Sequence, residues 1–506
     1  MPTDPHFDLF WQRLELDVTA STPRYKQLYD QVRTAVLTGQ LRQGARIPAS
    51  RALAKHLAVS RNTVLEALDQ LLAEGYLESK RGAGTFVAVD VLATTHAELH
   101  QSQITNTHVD NTDDDVTITP QLSSRGQQLA ASKLAQQQDE SRPLAFQAGL
   151  SALDLFPWKL WMRLANQAAK FIAQPDQHQL MGYGNSAGLP ELREALVEHL
   201  RVARGVRCQP ENIVITTGTQ QAIDLTARLL LDVGDPVWVE NPGYTSGHEV
   251  LRALGAKLVP GKVDAEGLEL PSTPVRLAYL TPSHQYPLGV TMSLGRRLAF
   301  LEAANDTNMW LFEDDYDSEF RYAGKPLAAL QSLDARRERV IYAGTLSKVL
   351  YPGLRLGYMV LPPALSSAFV SARGLADRSP PLLAQKTLAL FINGGHFTRH
   401  IRKMRQVYDK RRQALINALE QIPELSRLVS DTGLQLSVRL PDDWDDRELS
   451  AQLAQAGIDA RALSNYAHAP LDFGGLNLGY AAVDELAIVQ TAKTMKKVVE
   501  GYATTL

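Results

Sequence analysis

Lys348 is the side chain best suited to covalent chemistry; it lies in IYAGTLSKVLYPGLRLGYMVL, residues 341–361. Apolar runs at 340–343 and 356–360 read as buried strands on either side of it. An amine held among apolar groups loses the water that stabilises its charge, so its pKa falls and it can condense with an aldehyde. Arg355 and the hydroxyls of Thr345 and Ser347 supply the charge and the donors that a nearby phosphate needs. A second concentration of chemistry lies near the N-terminus. Between Gly39 and Leu65 stand Arg42, Arg46, Arg51, Lys55 and Arg61, with no Asp or Glu. That bias suits the phosphate backbone of a nucleic acid.

The elements that must position these groups divide the chain. At 506 residues it is too long for one ordinary domain. Its 44% hydrophobic and 21% charged content is that of a globular protein, and a net charge of -3 says little about partners. A single cysteine, Cys208, excludes an internal disulfide framework and fits a reducing, cytoplasmic compartment. The opening MPTDPHFDLF carries no basic region before an apolar core, so no secretory signal is expected. No apolar run is long enough to predict a membrane span.

In the basic region, Pro23 opens a helix whose apolar face is Tyr25, Leu28, Tyr29, Val32, Ala35 and Val36, and Gly39 ends it. QGARIPAS reads as a turn, with Ser50 capping a short helix over 51–57. Ser60 caps the next helix, 61–74, which buries Val64, Leu65, Leu68, Leu71 and Leu72 and stops at Gly75. Strands at 76–79 and 85–89, joined by Lys80-Arg81-Gly82-Ala83-Gly84, complete a winged helix-turn-helix. Arg61, Asn62 and Thr63 then occupy the exposed start of the recognition helix. The run from Pro48 through Leu71, then Gly75-Tyr76-Leu77 and Gly82-Ala83-Gly84-Thr85-Phe86-Val87, resembles the GntR-type DNA-binding domain. That resemblance implies DNA contacts from Arg51, Ser60, Arg61 and Thr63, and from Arg81 and Gly82 in the wing.

Residues 89–144 read as a polar linker, without an aromatic residue between Phe86 and Phe146. Roughly 91–120 is expected to be flexible, Gln127–Gln138 is a candidate helix, and a packed arm is allowed from near Thr119. From 145 onward helices and strands alternate, which predicts an α/β domain with a largely parallel sheet and a smaller C-terminal lobe. Expected helices are 158–171, 189–201 and 220–231. Expected strands are 213–216, 237–240, 277–280 and 309–313, with lobe strands at 428–440 and 476–481.

The segment Thr345-Leu346-Ser347-Lys348, with Gly353-Leu354-Arg355-Leu356-Gly357, resembles the internal-aldimine segment of fold-type I aminotransferases, which bind pyridoxal 5'-phosphate (PLP). The resemblance implies a Schiff base from Lys348, with Thr345 and Arg355 on the phosphate. Gly218, Thr219 and Gln220 begin a helix whose free N–H groups also attract phosphate. Tyr244, just past a strand, is placed either to stack on a flat ring or simply to pack. Glu313-Asp314-Asp315-Tyr316-Asp317 offers either oxygen ligands for magnesium or one carboxylate against a pyridinium nitrogen. The Lys348 segment favours the second reading and no metal. By resemblance Asp314 takes the ring nitrogen, with Asp315 as the other candidate, and Tyr316 the phenolic oxygen. Tyr286 stands where such enzymes have the asparagine of an Asn-Pro-Thr-Gly turn. Tyr183, in Met181-Gly182-Tyr183-Gly184, resembles the tyrosine that reaches the neighbouring subunit's phosphate, which implies a homodimer.

The order of parts, 20–88 winged helix-turn-helix, 89–144 linker and 145–506 aminotransferase-like domain, resembles the MocR subfamily of GntR-type bacterial transcriptional regulators. It implies a double-stranded DNA operator, with PLP, alone or with an amine or amino acid, as effector at a promoter such as one of PLP or amino-acid metabolism. The alternative is a PLP-dependent aminotransferase. Against efficient turnover, Asn477 stands where amino-acid aminotransferases carry a carboxylate-binding arginine, and Arg461 is the candidate substitute.

Overall fold

The computed structural model describes residues 10, 11, 13–80, 83–88, 121–131, 144–324, 327–428 and 431–505. The chain divides into two compact units, Met1–Thr119 and Pro120–Leu506.

In the first unit, α1 (Arg24–Leu37), α2 (Ser50–His56) and α3 (Arg61–Ala73) precede a hairpin of β1 (Leu77–Lys80) and β2 (Gly84–Val87). The periodic residues form one core: Leu28, Tyr29, Val32 and Ala35 of α1 meet Leu53 of α2 and Val64, Ala67, Leu68 and Leu71 of α3. Each large apolar side chain among them contributes about 1.5–3 kcal/mol when withdrawn from water, so the module has a core of its own. Ser60 accepts a hydrogen bond from the Thr63 amide at 3.1 Å and caps α3. Gly39 and Gly75 end α1 and α3 with φ of +74° and +79°. Two expectations are corrected. Ser50 is the first residue of α2 rather than its cap, and Ala49 holds the cap position without a side-chain bond. The segment expected as a plain turn before α2 adds a third edge to the wing, because Arg46 bridges Phe86.

The second unit is built on a sheet of eight strands in the order β3-β10-β9-β8-β7-β4-β5-β6. These are β3 (Ile213–Thr216), β4 (Pro236–Asn241), β5 (Lys257–Asp264), β6 (Gly267–Leu268), β7 (Leu277–Leu280), β8 (Trp310–Asp315), β9 (Val340–Thr345) and β10 (Gly357–Val360). Pairings β5–β4, β4–β7, β7–β8 and β8–β9 are parallel, and β10 runs antiparallel between β9 and β3. Strands β3, β4, β7, β8 and β9 therefore all end at one edge, where an open α/β sheet receives its ligand.

The helices are α4 (Ser124–Ala130), α5 (Trp158–Ile172), α6 (Pro190–Arg204), α7 (Thr219–Leu230), α8 (Thr245–Ala253), α9 (Leu294–Thr307), α10 (Leu330–Leu333), α11 (Ser366–Asp377), α12 (Leu382–Asn393), α13 (His396–Leu419), α14 (Asp446–Gln455) and α15 (Glu485–Ala503). A smaller antiparallel sheet, ordered β11-β12-β14-β13, contains β11 (Ser426–Arg427), β12 (Gln435–Arg439), β13 (Arg461–Ala462) and β14 (Gly475–Gly479). Helix α4 is capped by Ser123 and packs on α8, within the same unit. It covers the first part of the helix expected at 127–138; the expected flexible stretch, 91–120, lies outside the described residues. Strand β5 has no counterpart in the sequence reading. It carries Pro260 and a burial pattern without clean alternation, so neither usual strand signal is present.

Candidate cofactor site and nucleic-acid interface

The strand ends open on a cavity of about 1240 Å³. Lys348, Gly218, Thr219, Gln220, Tyr244, Asp314, Tyr316, Thr345 and Arg355 all line it, as do Ser347 and Tyr286. Lys348 follows β9, and its amine donates to the Gly149 carbonyl at 2.6 Å. Gly149 has φ of +78°, and a Cβ there would stand 2.9 Å from Nζ, so this approach requires glycine. Loss of water around Lys348 lowers its pKa; the charges of Asp317 and Asp314 oppose that and Arg461 assists it. The amine is thus biased toward the neutral, nucleophilic form.

The four carboxylates after Phe312 do not converge. Strand alternation sends Asp314 and Asp315 to opposite faces of β8. Glu313 accepts the amides of Leu330 and Gln331 at 2.7 and 2.8 Å, at the start of α10. Asp315 accepts Arg204 Nε at 2.7 Å and the Tyr342 hydroxyl at 2.5 Å. Asp317 faces His284 at 3.0 Å. Of the four, Asp314 alone looks into the cavity: Oδ2 accepts the Tyr279 hydroxyl, while Oδ1 is buried with no partner among the described residues. Burial pushes the Asp314 carboxyl up to about 7 despite the Tyr279 hydrogen bond. An unpartnered buried carboxylate oxygen fits a protonated ring nitrogen, whose charge would return Asp314 to its ionised form.

The opposite end fits a phosphate. Gly218, with φ of +132°, is the N-cap of the twelve-residue α7, whose start has no side-chain cap. A Cβ on Gly218 would lie 4.0 Å from both terminal nitrogens of Arg355. Free helix amides and a guanidinium thus face the same space. Tyr244 stands at the start of α8, with its ring edge-on to Tyr286 at 5.9 Å. Tyr183 is not among the lining residues and is 79% exposed.

Arg461 also lines the cavity, and its guanidinium is held by Asp459 at 3.0 and 3.2 Å. It is in register with Asn477 across the β13–β14 pair, so the two share a face of the small sheet. Asn477 is fully buried. Residues that carried no assignment from sequence also contribute: Ala148, Gly149, Gln435, Arg447 and Ser464 line the cavity. They lie in short irregular segments or in the small lobe, and no local motif marks them.

In the first unit, Arg51, Ser60 and Arg61 are exposed and Thr63 is half-buried, all around the start of α3. Arg61 Nε lies 3.3 Å from Ser50 Oγ, and the hydroxyls of Ser60 and Thr63 are 2.8 Å apart. The two helices therefore present one polar edge. Arg81 and Gly82 lie outside the described residues.

Residues 155–470 match the model of aminotransferase class I and II, and residues 24–87 match that of bacterial regulatory proteins of the gntR family. The chain is 38% identical to a probable rhizopine catabolism regulatory protein MocR of Rhizobium meliloti, over 93% of this chain and 92% of that one. It is 30% identical to the pyridoxine biosynthesis transcriptional regulator PdxR of Corynebacterium glutamicum, over 91% and 92%. Among solved structures, the α-aminoadipate aminotransferase LysN of Thermus thermophilus matches with a TM-score of 0.68 at 27% identity. That match covers 76% of this chain and 98% of LysN. A helix-turn-helix domain and a PLP-binding aminotransferase-like domain in one chain define a class of transcriptional regulator. This chain belongs to the MocR-type regulators of the GntR family.

The geometry can be tested at both sites. Borohydride reduction of the PLP-loaded protein and peptide mapping should place the pyridoxyl group on Lys348, and Lys348→Ala should lose the reducible adduct. Retention of that adduct by the variant would refute the assignment. Arg61→Ala should weaken operator binding by about 1–3 kcal/mol, and it should lower the salt dependence by about one unit of slope if Arg61 meets a phosphate. Anisotropy titrations at several salt concentrations read both effects.

Proposed function

We propose that this chain is a homodimeric sensor in which PLP, alone or as its adduct with an amine or amino acid, alters the affinity or geometry of the dimer on its operator. Steady-state transamination is slow or absent. The observation that carries this reading is a cofactor cradle complete in type but altered where a substrate carboxylate would dock. Lys348, Asp314, Tyr316 and Arg355 are together, whereas Asn477, which by resemblance takes the place of the carboxylate-binding arginine, is buried and not among the lining residues. No asparagine reproduces the charge or the paired donors of a guanidinium, and Arg461 beside it is already engaged by Asp459. A catalyst must favour the transition state and release product repeatedly, while a sensor needs only different affinity in two states.

Exposed apolar side chains support the dimer. Trp158 and Met162 on α5 are 47% and 60% exposed, Leu383 on α12 is 46% exposed, and Met181 lies close in sequence to Tyr183 at 58%. Helix α5 packs on α12, and Trp158 touches Tyr351, which adjoins the cavity-lining Pro352. An apolar surface of this kind beside a ligand site suits a second copy of the chain. In that arrangement Tyr183 serves the partner's phosphate rather than its own.

The test is operator affinity measured for apoprotein and PLP-loaded protein, with and without amines, beside a turnover screen of amine donors and keto acids. A change in operator affinity of roughly 5–150-fold with little turnover is the expected result. Fast multiple turnover with operator affinity unchanged would establish an aminotransferase instead.

A further inference from the structure

Tyr316 is surrounded by hydrogen-bond donors in a way that fixes where its own hydrogen points. His284 and Asp317 are both buried, and His284 Nδ1 lies 3.0 Å from each carboxylate oxygen of Asp317. The same Nδ1 is 3.0 Å from the Tyr316 hydroxyl oxygen. Burial raises the Asp317 pKa and His284 opposes that rise; with Asp317 ionised the carboxylate only accepts, so Nδ1 carries the hydrogen, and this N–H faces the tyrosine oxygen as well. On another side, Gln435 Nε2 donates to the Tyr316 oxygen at 3.1 Å. With N–H donors on both sides, the tyrosine O–H can donate to neither and must aim elsewhere. The remaining open side is the cavity, which Tyr316 and Gln435 both line.

The surroundings enforce this arrangement. Gly433, with φ of +85°, lies so close that a Cβ would meet His284 Cε1 at 1.9 Å and Asp317 Oδ2 at 2.6 Å. Its carbonyl accepts the hydroxyls of Tyr322 and Tyr480 at 2.6 and 2.7 Å. The imidazole is therefore clamped by backbone at the start of the small lobe, and Gln435 extends from the same segment. The ionisable groups facing Tyr316 are Asp314 and Asp317 on its own segment, His284 and Tyr286 after β7, and Glu240 at the end of β4. Burial and the negative charges among these groups keep the phenol protonated, as a donor must be.

We propose that His284, braced by Asp317, and Gln435 are positioning residues that turn the Tyr316 hydroxyl into the cavity, presenting one oriented donor to the ring oxygen of the cofactor. This deepens the cofactor reading above and rests on it. Because His284 belongs to the large domain and Gln435 to the small lobe, the donor stays oriented only while the two remain docked.

The test is the pH midpoint of the visible band of bound PLP, read for Tyr316→Phe, His284→Leu, Gln435→Leu, His284→Gln and the doubles with Tyr316→Phe. Tyr316→Phe should move the midpoint by about one pH unit or more, and His284→Leu and Gln435→Leu should each move it in the same direction. Each double should move it no further than Tyr316→Phe alone, the non-additivity expected of groups acting through one atom. His284→Gln, which retains an N–H donor, should recover much of the wild-type midpoint. Gln435→Leu carries the same cycle if His284→Leu fails to fold. Leucine variants with wild-type midpoints, or shifts that add to that of Tyr316→Phe, overturn the proposal. An unmoved midpoint in Tyr316→Phe itself also overturns it, and it places the error in how the ring is seated.

Discussion

Four carboxylates in five residues at the end of β8 are compatible with a buried strand only because each finds a different partner. Unpaired, such charges would repel and would each suffer a desolvation cost of several kcal/mol. The amides opening α10 take Glu313, Arg204 from the end of α6 takes Asp315, and His284 from the loop after β7 takes Asp317. Arg204 also holds the Leu327 carbonyl at 2.7 Å and Ser283 at 2.5 Å, tying three segments to one strand end. Of the four, only Asp314 keeps an oxygen open to the cavity. The cofactor site is thus the part of this buried network where an unpartnered carboxylate oxygen belongs to a cavity-lining residue.

That open position and the lysine facing it give a bound cofactor two separate gains. Lys348 and Asp314 are both held away from water, and each gains from a ligand that supplies what burial withheld. Lys348 gains a carbonyl partner and Asp314 a cation. Turnover asks more, because a substrate carboxylate has to be held against the ring through the reaction. In the small lobe, Arg461 lines the cavity paired with Asp459, and Asn477 opposite it on β14 is buried and not among the lining residues. In the proposed sensor, binding energy goes to moving lobes or subunits rather than to a transition state.

Much of this is legible in the sequence where the signal is local. Strands 213–216 and 277–280 match residue for residue, because short buried runs bounded by polar clusters are distinct. The Ser60 cap and the glycine stops are equally plain. Asp314 is preferred over Asp315 only by resemblance; the structure adds the reason, since alternation along β8 turns one to the cavity and the other to Arg204. What escapes is assembled across distance. Gly149 meets Lys348 from 199 positions away, and Gln435 meets Tyr316 from 119. His284 carries no assignment from sequence, because nothing in its own segment reveals Asp317. Ser50 reads as a cap because a serine before a helical pattern looks the same one residue earlier or later.

The central claim, that cofactor occupancy and DNA binding are one coupled equilibrium, is tested most directly from the cofactor side. PLP affinity of the full-length protein should be measured by absorbance titration, with saturating operator duplex and with a scrambled duplex. Linkage requires that the operator change PLP affinity by the same factor by which PLP changes operator affinity. An operator-specific change of that size is the predicted result. Equal PLP affinity on both duplexes, with operator bound throughout, would contradict the account.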